Sequence, residues 1–302
     1  MAYRRTKRRY PARRRPTRKS SYRSKSRRSY TGRRRVSRAP SRKRILNMTS
    51  TKKKDNMLCW TNTSPSQIVL GSTYGVGPAI LTGGNTYIFP WVANYRPATD
   101  YTGGFARPVQ ESVRTSTVCY MRGVKEQIQI QTNTGMPWTW RRICFTLKGT
   151  ALRNFATTNM WMNITNGNGP TRLMNNWATT TGGQAIVDLV FDGRTGADWD
   201  SVYAAKTDKQ RISVHYDKTV TMNPGNESGY VRNFKLWHPM NKNMQYDDDE
   251  SGDGESTAGY STLNKMGMGD YYIVDIIASG TAGDSDDMLR FNPQATLYWH
   301  EK

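Results

Sequence analysis

The chain has 302 residues, with 45 Lys or Arg, 23 Asp or Glu and 3 His, which gives a formal net charge of +22. No segment approaches the roughly 18 consecutive apolar residues of a membrane-spanning helix, so we expect no membrane insertion. The three cysteines are far apart in sequence, which fits neither a disulfide framework nor a Cys-x-x-Cys metal site. We therefore expect buried, reduced thiols, no metal and no cofactor.

The positive charge is concentrated at the N-terminus. Residues 1–54 contain 24 of the 45 Lys and Arg and no acidic residue. Subtraction leaves 21 basic and 23 acidic residues in 55–302, a body with a net charge near −2. Residues 1–44 contain no Leu, Ile, Phe or Trp, so they cannot bury enough apolar surface to offset chain entropy. We predict a disordered arm over residues 1–54 and one folded domain over residues 55–302.

A polycationic arm predicts a polyanionic partner, because Lys and Arg release counterions when they neutralise phosphates. The alternatives are binding to an anionic membrane and a role as a mitochondrial transit peptide, but both require an apolar face that the arm lacks. Tyrosines between the cations can stack on unpaired bases. The candidate base-stacking residues are Tyr3, Tyr10, Tyr22 and Tyr30. The candidate phosphate-binding residues are Arg4, Arg5, Lys7, Arg8, Arg9, Arg13, Arg14, Arg15, Arg18, Lys19, Arg33, Arg34, Arg35, Arg42, Lys43, Arg44, Lys52, Lys53 and Lys54.

Short basic clusters within the arm also fit nuclear localisation signals. The clusters occupy residues 4–9, 33–35 and 42–44. An acidic groove of a nuclear import receptor would recognise them. We therefore expect such a receptor as a second partner.

The body contains many strand-like segments and few helical ones. Helical spacing is clear only in Asp198–Lys206, with Asp198 as the N-cap. Clusters of Gly, Asn, Asp and Pro separate the strand predictions. At least eight strands with so little helix predict an all-β fold, a sandwich or jelly roll with long loops. The strand predictions in chain order are Thr86–Val92, Thr115–Met121, Val124–Gln131, Trp138–Leu147, Ala185–Phe191, Arg211–Tyr216, Thr219–Met222, Tyr230–Trp237, Tyr271–Ala278 and Ala295–His300.

Two of these strands make more specific predictions. Apolar and polar residues alternate in Val124–Gln131, which indicates a strand with one buried face. A turn at residues 133–135 leads into Trp138–Leu147, so the two strands predict a hairpin. In the second strand the apolar positions change from even to odd numbers across the pair Arg141 and Arg142, which predicts a β-bulge there.

Patterns that indicate catalysis or metal binding are weak. His215, His238 and His300 are isolated from one another, and the Gly-rich segment 71–77 lacks the spacing of a nucleotide-binding loop. The acidic segment Asp247–Glu255 does not match the ligand positions of an EF-hand. We interpret it as a solvated, mobile loop, with a looser cation site as the alternative. We expect a protein that is not an enzyme.

Three segments give the chain a family resemblance. They are the opening Met1–Arg5 with the Arg-rich run after it, the Trp-rich segment Trp138–Phe145, and the closing segment Ala295–Glu301. In these segments, and through most of its length, the chain resembles the capsid proteins of genomoviruses, gemycircularvirus-like small circular single-stranded DNA viruses associated with fungi. Geminivirus coat proteins are more distant relatives by the same resemblance.

The resemblance implies a fold, an assembly and a cellular route. It implies a single jelly-roll β-sandwich of the viral capsid type and self-assembly into a T=1 icosahedral shell of about sixty copies. It further implies packaging of circular single-stranded DNA by the arm and entry of the genome into the host nucleus. The chain lacks the Cys/His spacing of a zinc finger near its N-terminus, so no metal is carried over. The alternative is a cellular RNA-binding protein with a basic tail that does not assemble into shells.

Overall fold

The computed structural model describes residues 41–156 and 159–302. The folded body is the unit Lys43–Lys302. Two helices are present in the described residues, α1 (Arg42–Thr49) and α2 (Thr181–Val190), together with a 3-10 turn at Arg153–Phe155. Most of the remaining regular structure is antiparallel sheet.

Eight long strands form two antiparallel sheets. In chain order they are β1 (Thr51–Met57), β2 (Thr86–Val92), β3 (Val118–Thr132), β4 (Trp138–Leu147), β5 (Ser213–Met222), β6 (Val231–Gln245), β7 (Asp270–Ser279) and β8 (Met288–Glu301). Sheet 1 has the order β1-β8-β3-β6, and sheet 2 has the order β5-β4-β7-β2. The chain changes sheet after every strand except β4, and this arrangement is that of an eight-stranded jelly roll. The fold is therefore an all-β jelly-roll sandwich, as predicted.

Short strands extend or flank this sandwich. Ala79–Thr82 pairs with β8 at the margin of sheet 1. Cys59–Thr61 pairs with Gly75–Val76 and with Arg172–Met174. Two small hairpins pair Thr165–Asn166 with Gly169–Pro170, and Asp249–Ser251 with Gly254–Ser256.

The main core lies between the two sheets. Sheet 1 contributes alternate residues such as Val124, Ile128 and Ile130, and sheet 2 contributes large side chains such as Trp140 and Ile273. The other face of sheet 1 is polar. This arrangement produces the period-two pattern from which the strand Val124–Gln131 was predicted.

Sheet 2 is buried on both faces in three of its strands, β2, β4 and β7, while its edge strand β5 is largely exposed. Its outer face is covered by the segment between β4 and β5, in which Trp177, Ile186 and Val190 pack against strand residues such as Phe145 and Tyr272. Because both faces are buried, β4 is apolar at even and odd positions alike. The predicted β-bulge at Arg141 and Arg142 is therefore wrong, because β4 pairs continuously with β7, and the register shift lies in β5 between Val214 and Tyr216.

The predicted hairpin between Val124–Gln131 and Trp138–Leu147 is also wrong. The first segment lies within β3 of sheet 1 and the second is β4 of sheet 2, so the turn between them carries the chain from one sheet to the other. Sequence alternation shows that a strand has a buried face, but it does not show which strand is its neighbour.

Two predictions about helices are reversed by the structure. Ala185–Phe191, predicted as a strand, lies mostly in α2, which is capped by the Thr180 hydroxyl accepting a hydrogen bond from Gly183 N at 3.0 Å. Asp198–Lys206, predicted as a helix, is a series of turns. Asp198 Oδ2 accepts from Arg194 N at 2.8 Å, so this carboxylate closes the turn before it instead of capping a helix after it.

The remaining strand predictions are confirmed with different limits. Thr115–Met121 and Val124–Gln131 belong to one strand, β3, and Arg211–Tyr216 and Thr219–Met222 belong to one strand, β5. The other predicted strands coincide with or lie largely within β2, β4, β6, β7 and β8.

Candidate nucleic-acid interface

The predicted nucleic-acid-binding residues fall into two groups by position. The candidates from Arg4 to Arg35, and the four candidate stacking tyrosines, lie outside the described residues. Arg42, Lys43 and Arg44 lie in the first turn of α1, and Lys52–Lys54 lie in β1. The root of the predicted arm is thus joined directly to the edge strand of sheet 1.

Lys53 is not available to a phosphate, which corrects its assignment as a binding residue. Its side chain is 1% exposed, and its Nζ lies 3.1 Å from Glu301 Oε2. The same Nζ donates to the Val113 carbonyl at 2.7 Å and to the Thr115 hydroxyl at 3.1 Å. The predicted boundary at residue 54 is therefore too late, because the sheet already begins at Thr51.

A second ion pair fixes the same strand. Asp55 accepts from Arg96, whose guanidinium lies 5.5 Å from the centre of the Trp299 ring. Burial raises the pKa of Asp55, and the charge of Arg96 opposes that rise. Together with Lys53, this pair holds β1 against β8 and fixes the point at which the predicted arm leaves the body.

Lys52 and Lys54 point away from the core. In the register of sheet 1, Lys52 lies opposite His300 and Lys54 lies opposite Tyr298. Sequence reasoning missed other cations on this outward face of sheet 1. The alternation in Val124–Gln131 identified a polar face, but the strand order that joins it to β1 was needed to find them. These cations are Arg122, Lys125, Lys235 and Arg290.

A network of four charged side chains lies at the centre of the sandwich, outside the predicted interface. The Arg142 guanidinium donates to Asp275 at 2.7 and 2.9 Å and to Glu126 at 2.5 Å. Arg172 donates to Glu126 at 3.0 Å and to Asp275 at 2.8 Å. Burial alone would raise the pKa of Glu126, but the two guanidinium groups outweigh it and hold that pKa well below its ordinary value. The network is neutral and sealed from solvent, so it joins the sheets and has no access to a substrate.

His238 and the three cysteines are buried and contact other residues of the core. His238 is buried with its Nε2 3.5 Å from Glu126, and its Nδ1 lies 3.7 Å from Cys144 Sγ. The three thiols are free and buried, as predicted, and burial raises the pKa of Cys59 to about 12. Residues 41–156 and 159–302 contain no group of three or more His, Cys, Asp or Glu side chains that could hold a metal ion.

The acidic segment Asp247–Glu255 is more ordered than predicted. Asp248 forms a bidentate ion pair with Arg114 at 2.5 and 2.7 Å, and the following residues form the hairpin Asp249–Ser251 with Gly254–Ser256. Burial would raise the pKa of Asp248, but its hydrogen bonds with Arg114 and the Ala258 N–H, together with the charge of Arg114, outweigh burial and lower that pKa. Asp248 is therefore already paired with Arg114 within the fold.

Comparisons with known proteins assign no family. No family model matches the chain, and no curated protein matches it. Among solved structures, the chain was aligned with an unassembled pentamer of a Washington University polyomavirus VP1 mutant. That alignment has 9% sequence identity and a TM-score of 0.14, and it covers 83% of this chain and 91% of the other. The jelly-roll assignment accordingly depends on the strand order described above. Within the described parts of the chain, no helix is long and apolar enough to cross a membrane.

Proposed function

We propose that the protein is a viral capsid protein that self-assembles into a small icosahedral shell and packages circular single-stranded DNA. The observation that carries the proposal is the position of residues 1–50, which contain 21 Lys or Arg and no acidic residue, immediately before the edge strand of an eight-stranded jelly roll. A jelly roll with a basic N-terminal extension suits a shell wall with a tether for nucleic acid.

The charge distribution supports this division of labour. A shell wall needs little net charge, because like charges oppose close packing of subunits, and residues 55–302 have a formal charge near −2. A genome needs neutralising cations, and the arm supplies them without a fixed scaffold that would read base edges. Packaging should accordingly show little sequence preference.

The residues and partners are those expected from the sequence, except that Lys53 does not bind DNA. The arm cations from Arg4 to Arg44, together with Lys52 and Lys54, bind DNA phosphates, while Lys53 holds β1 in the sheet. The basic clusters of the arm bind a host nuclear import receptor, so the protein occurs in the virion and in the host nucleus. The shell contains about sixty copies with T=1 symmetry. The protein has a structural role and no catalytic activity.

Size-exclusion chromatography of the purified full chain tests the proposal. With single-stranded DNA present, the protein should elute as particles, and nuclease treatment should leave DNA protected inside them. Elution as a small species at every salt concentration, with or without DNA, would favour a non-assembling RNA-binding protein instead.

A further inference from the structure

The outward face of sheet 1 has an unusual charge composition. Six cations point away from the core on its four strands, and five of them are exposed, Arg122 being partly buried. They are Lys52 and Lys54 on β1, Arg122 and Lys125 on β3, Lys235 on β6 and Arg290 on β8.

No carboxylate balances these cations within the four strands. The strands contain three carboxylates, Asp55, Glu126 and Glu301, and all three point inward. Each is already paired with a cation of the interior, as described above for β1 and the central network. The other outward positions hold mostly amide, hydroxyl and aromatic side chains, so the face has a formal charge of +6.

The rings of Trp237 and Tyr298 lie among the cations. The Trp237 indole is 48% exposed, and its ring centre lies 5.8 Å from that of Tyr298. Trp237 packs over Gly123, where a Cβ atom would meet the indole at 2.8 Å, so the glycine leaves room for the ring. Lys125 lies opposite Trp237 in the register, and Lys54 lies opposite Tyr298. Each of the two rings therefore has a cation beside it on a neighbouring strand.

The opposite side of the sandwich does not share this composition. The segment that covers sheet 2 exposes equal numbers of cations and carboxylates. They are Arg194, Lys206, Lys209 and Arg211 against Asp188, Asp192, Asp198 and Asp200. The asymmetry is thus specific to the sheet whose edge strand continues from the basic arm.

We propose that the outward face of sheet 1 is a second contact surface for single-stranded DNA, in addition to the arm. Its cations bind phosphates, and the exposed faces of Trp237 and Tyr298 stack on bases. Interleaved cations and aromatic rings are the combination by which proteins bind single strands without reading sequence. The inference depends on the proposed function, since it places sheet 1 on the genome side of the shell.

The test measures binding of the full chain to a fluorescent oligo(dT) at several salt concentrations. The triple variant Lys125→Gln, Lys235→Gln, Arg290→Gln should make the log–log salt slope shallower by about 2, because each lost phosphate contact removes about 0.7. Its matched control is Arg194→Gln, Lys206→Gln, Lys209→Gln, which should retain the wild-type slope. Equal slopes for both triples and the wild type would overturn the inference.

A second measurement separates stacking from charge. Trp237→Leu should weaken binding roughly tenfold, whereas Trp161→Leu, at another exposed tryptophan, should leave it unchanged. Photocrosslinking of bromouracil-substituted DNA to the wild-type chain requires no variant to fold. It should label peptides containing Trp237 or Tyr298. Labelling confined to residues 1–50 would overturn the inference while leaving the capsid proposal intact, and failure of the wild type to bind DNA would overturn both.

Discussion

At the scale of single residues, the network of Glu126, Arg142, Arg172 and Asp275 makes a specific stability prediction. Removing four charged groups from water is costly, and pairing in good geometry repays that cost only when every group has a partner. Here each guanidinium contacts both carboxylates, and the Trp140 indole adds a hydrogen bond to Asp275 at 2.7 Å. Loss of one member leaves a buried charge without compensation.

Glu126→Gln should therefore lower the free energy of unfolding by about 3–5 kcal/mol at neutral pH. The folded-state pKa of Glu126 lies below its ordinary value of 4.5, so its contribution is complete above pH 4.5 and is lost as the pH falls through the folded-state pKa. Urea denaturation across pH should show the difference between wild type and variant shrinking below pH 4.5. A difference that stays constant with pH would contradict this assignment.

Phe145 lies in β4, a strand of sheet 2 that is buried on both faces. It is fully buried and stacks on Tyr272 with ring centres 5.2 Å apart. Phe145→Asp should cost about 3–5 kcal/mol or prevent folding, because it places an unpaired charge in the core. Phe105→Asp is the control, since Phe105 is 59% exposed. Circular dichroism should show loss of folded structure for the first variant alone, and a folded Phe145→Asp protein that assembles would contradict the burial.

At the scale of elements, the strands of sheet 1 were more predictable than the cover of sheet 2. A strand with one face in the core and one in water alternates visibly, as in Val124–Gln131. Strand β4 is apolar on both faces, and α2 is a short apolar run with Gly182 and Gly183 near its start, so neither has a distinctive period. Pairing between strands depends on tertiary structure, which is why the hairpin prediction failed.

The candidate site could be predicted only in part for the same reason, since it also depends on tertiary structure. The run Lys52-Lys53-Lys54 looks uniform in sequence, but β-strand geometry sends alternate side chains to opposite faces. Lys53 therefore points to Glu301, which is 248 residues further along the chain and belongs to β8. The cationic face of sheet 1 is assembled from four strands that are distant in sequence, so composition alone did not reveal it.

Two deletions test where the arm ends. Removal of residues 2–40 leaves β1 complete, so the protein should remain folded but lose packaged DNA. Removal of residues 2–54 also removes Lys53 and most of β1 from the edge of sheet 1, so its melting temperature should fall well below that of the shorter deletion. Equal melting temperatures for the two deletions would show that β1 contributes little to the body.

At the scale of the whole molecule, the basic N-terminal segment and the folded body differ sharply in charge. Nuclear import should belong to the basic segment alone. A fluorescent reporter fused to residues 1–44 should accumulate in nuclei, because the clusters at 4–9, 33–35 and 42–44 are all included. The matched control replaces the Lys and Arg of those clusters with Gln. A wild-type fusion that stays in the cytoplasm would contradict the import role.

In the proposed function, this jelly roll builds a closed shell around single-stranded DNA. Electron microscopy of the full chain, purified with single-stranded DNA and treated with nuclease, measures this most directly. We expect uniform icosahedral particles with protected DNA inside and with the outward face of sheet 1 lining the interior. Open aggregates or unassembled subunits in place of closed shells, or empty shells that never protect DNA, would contradict it.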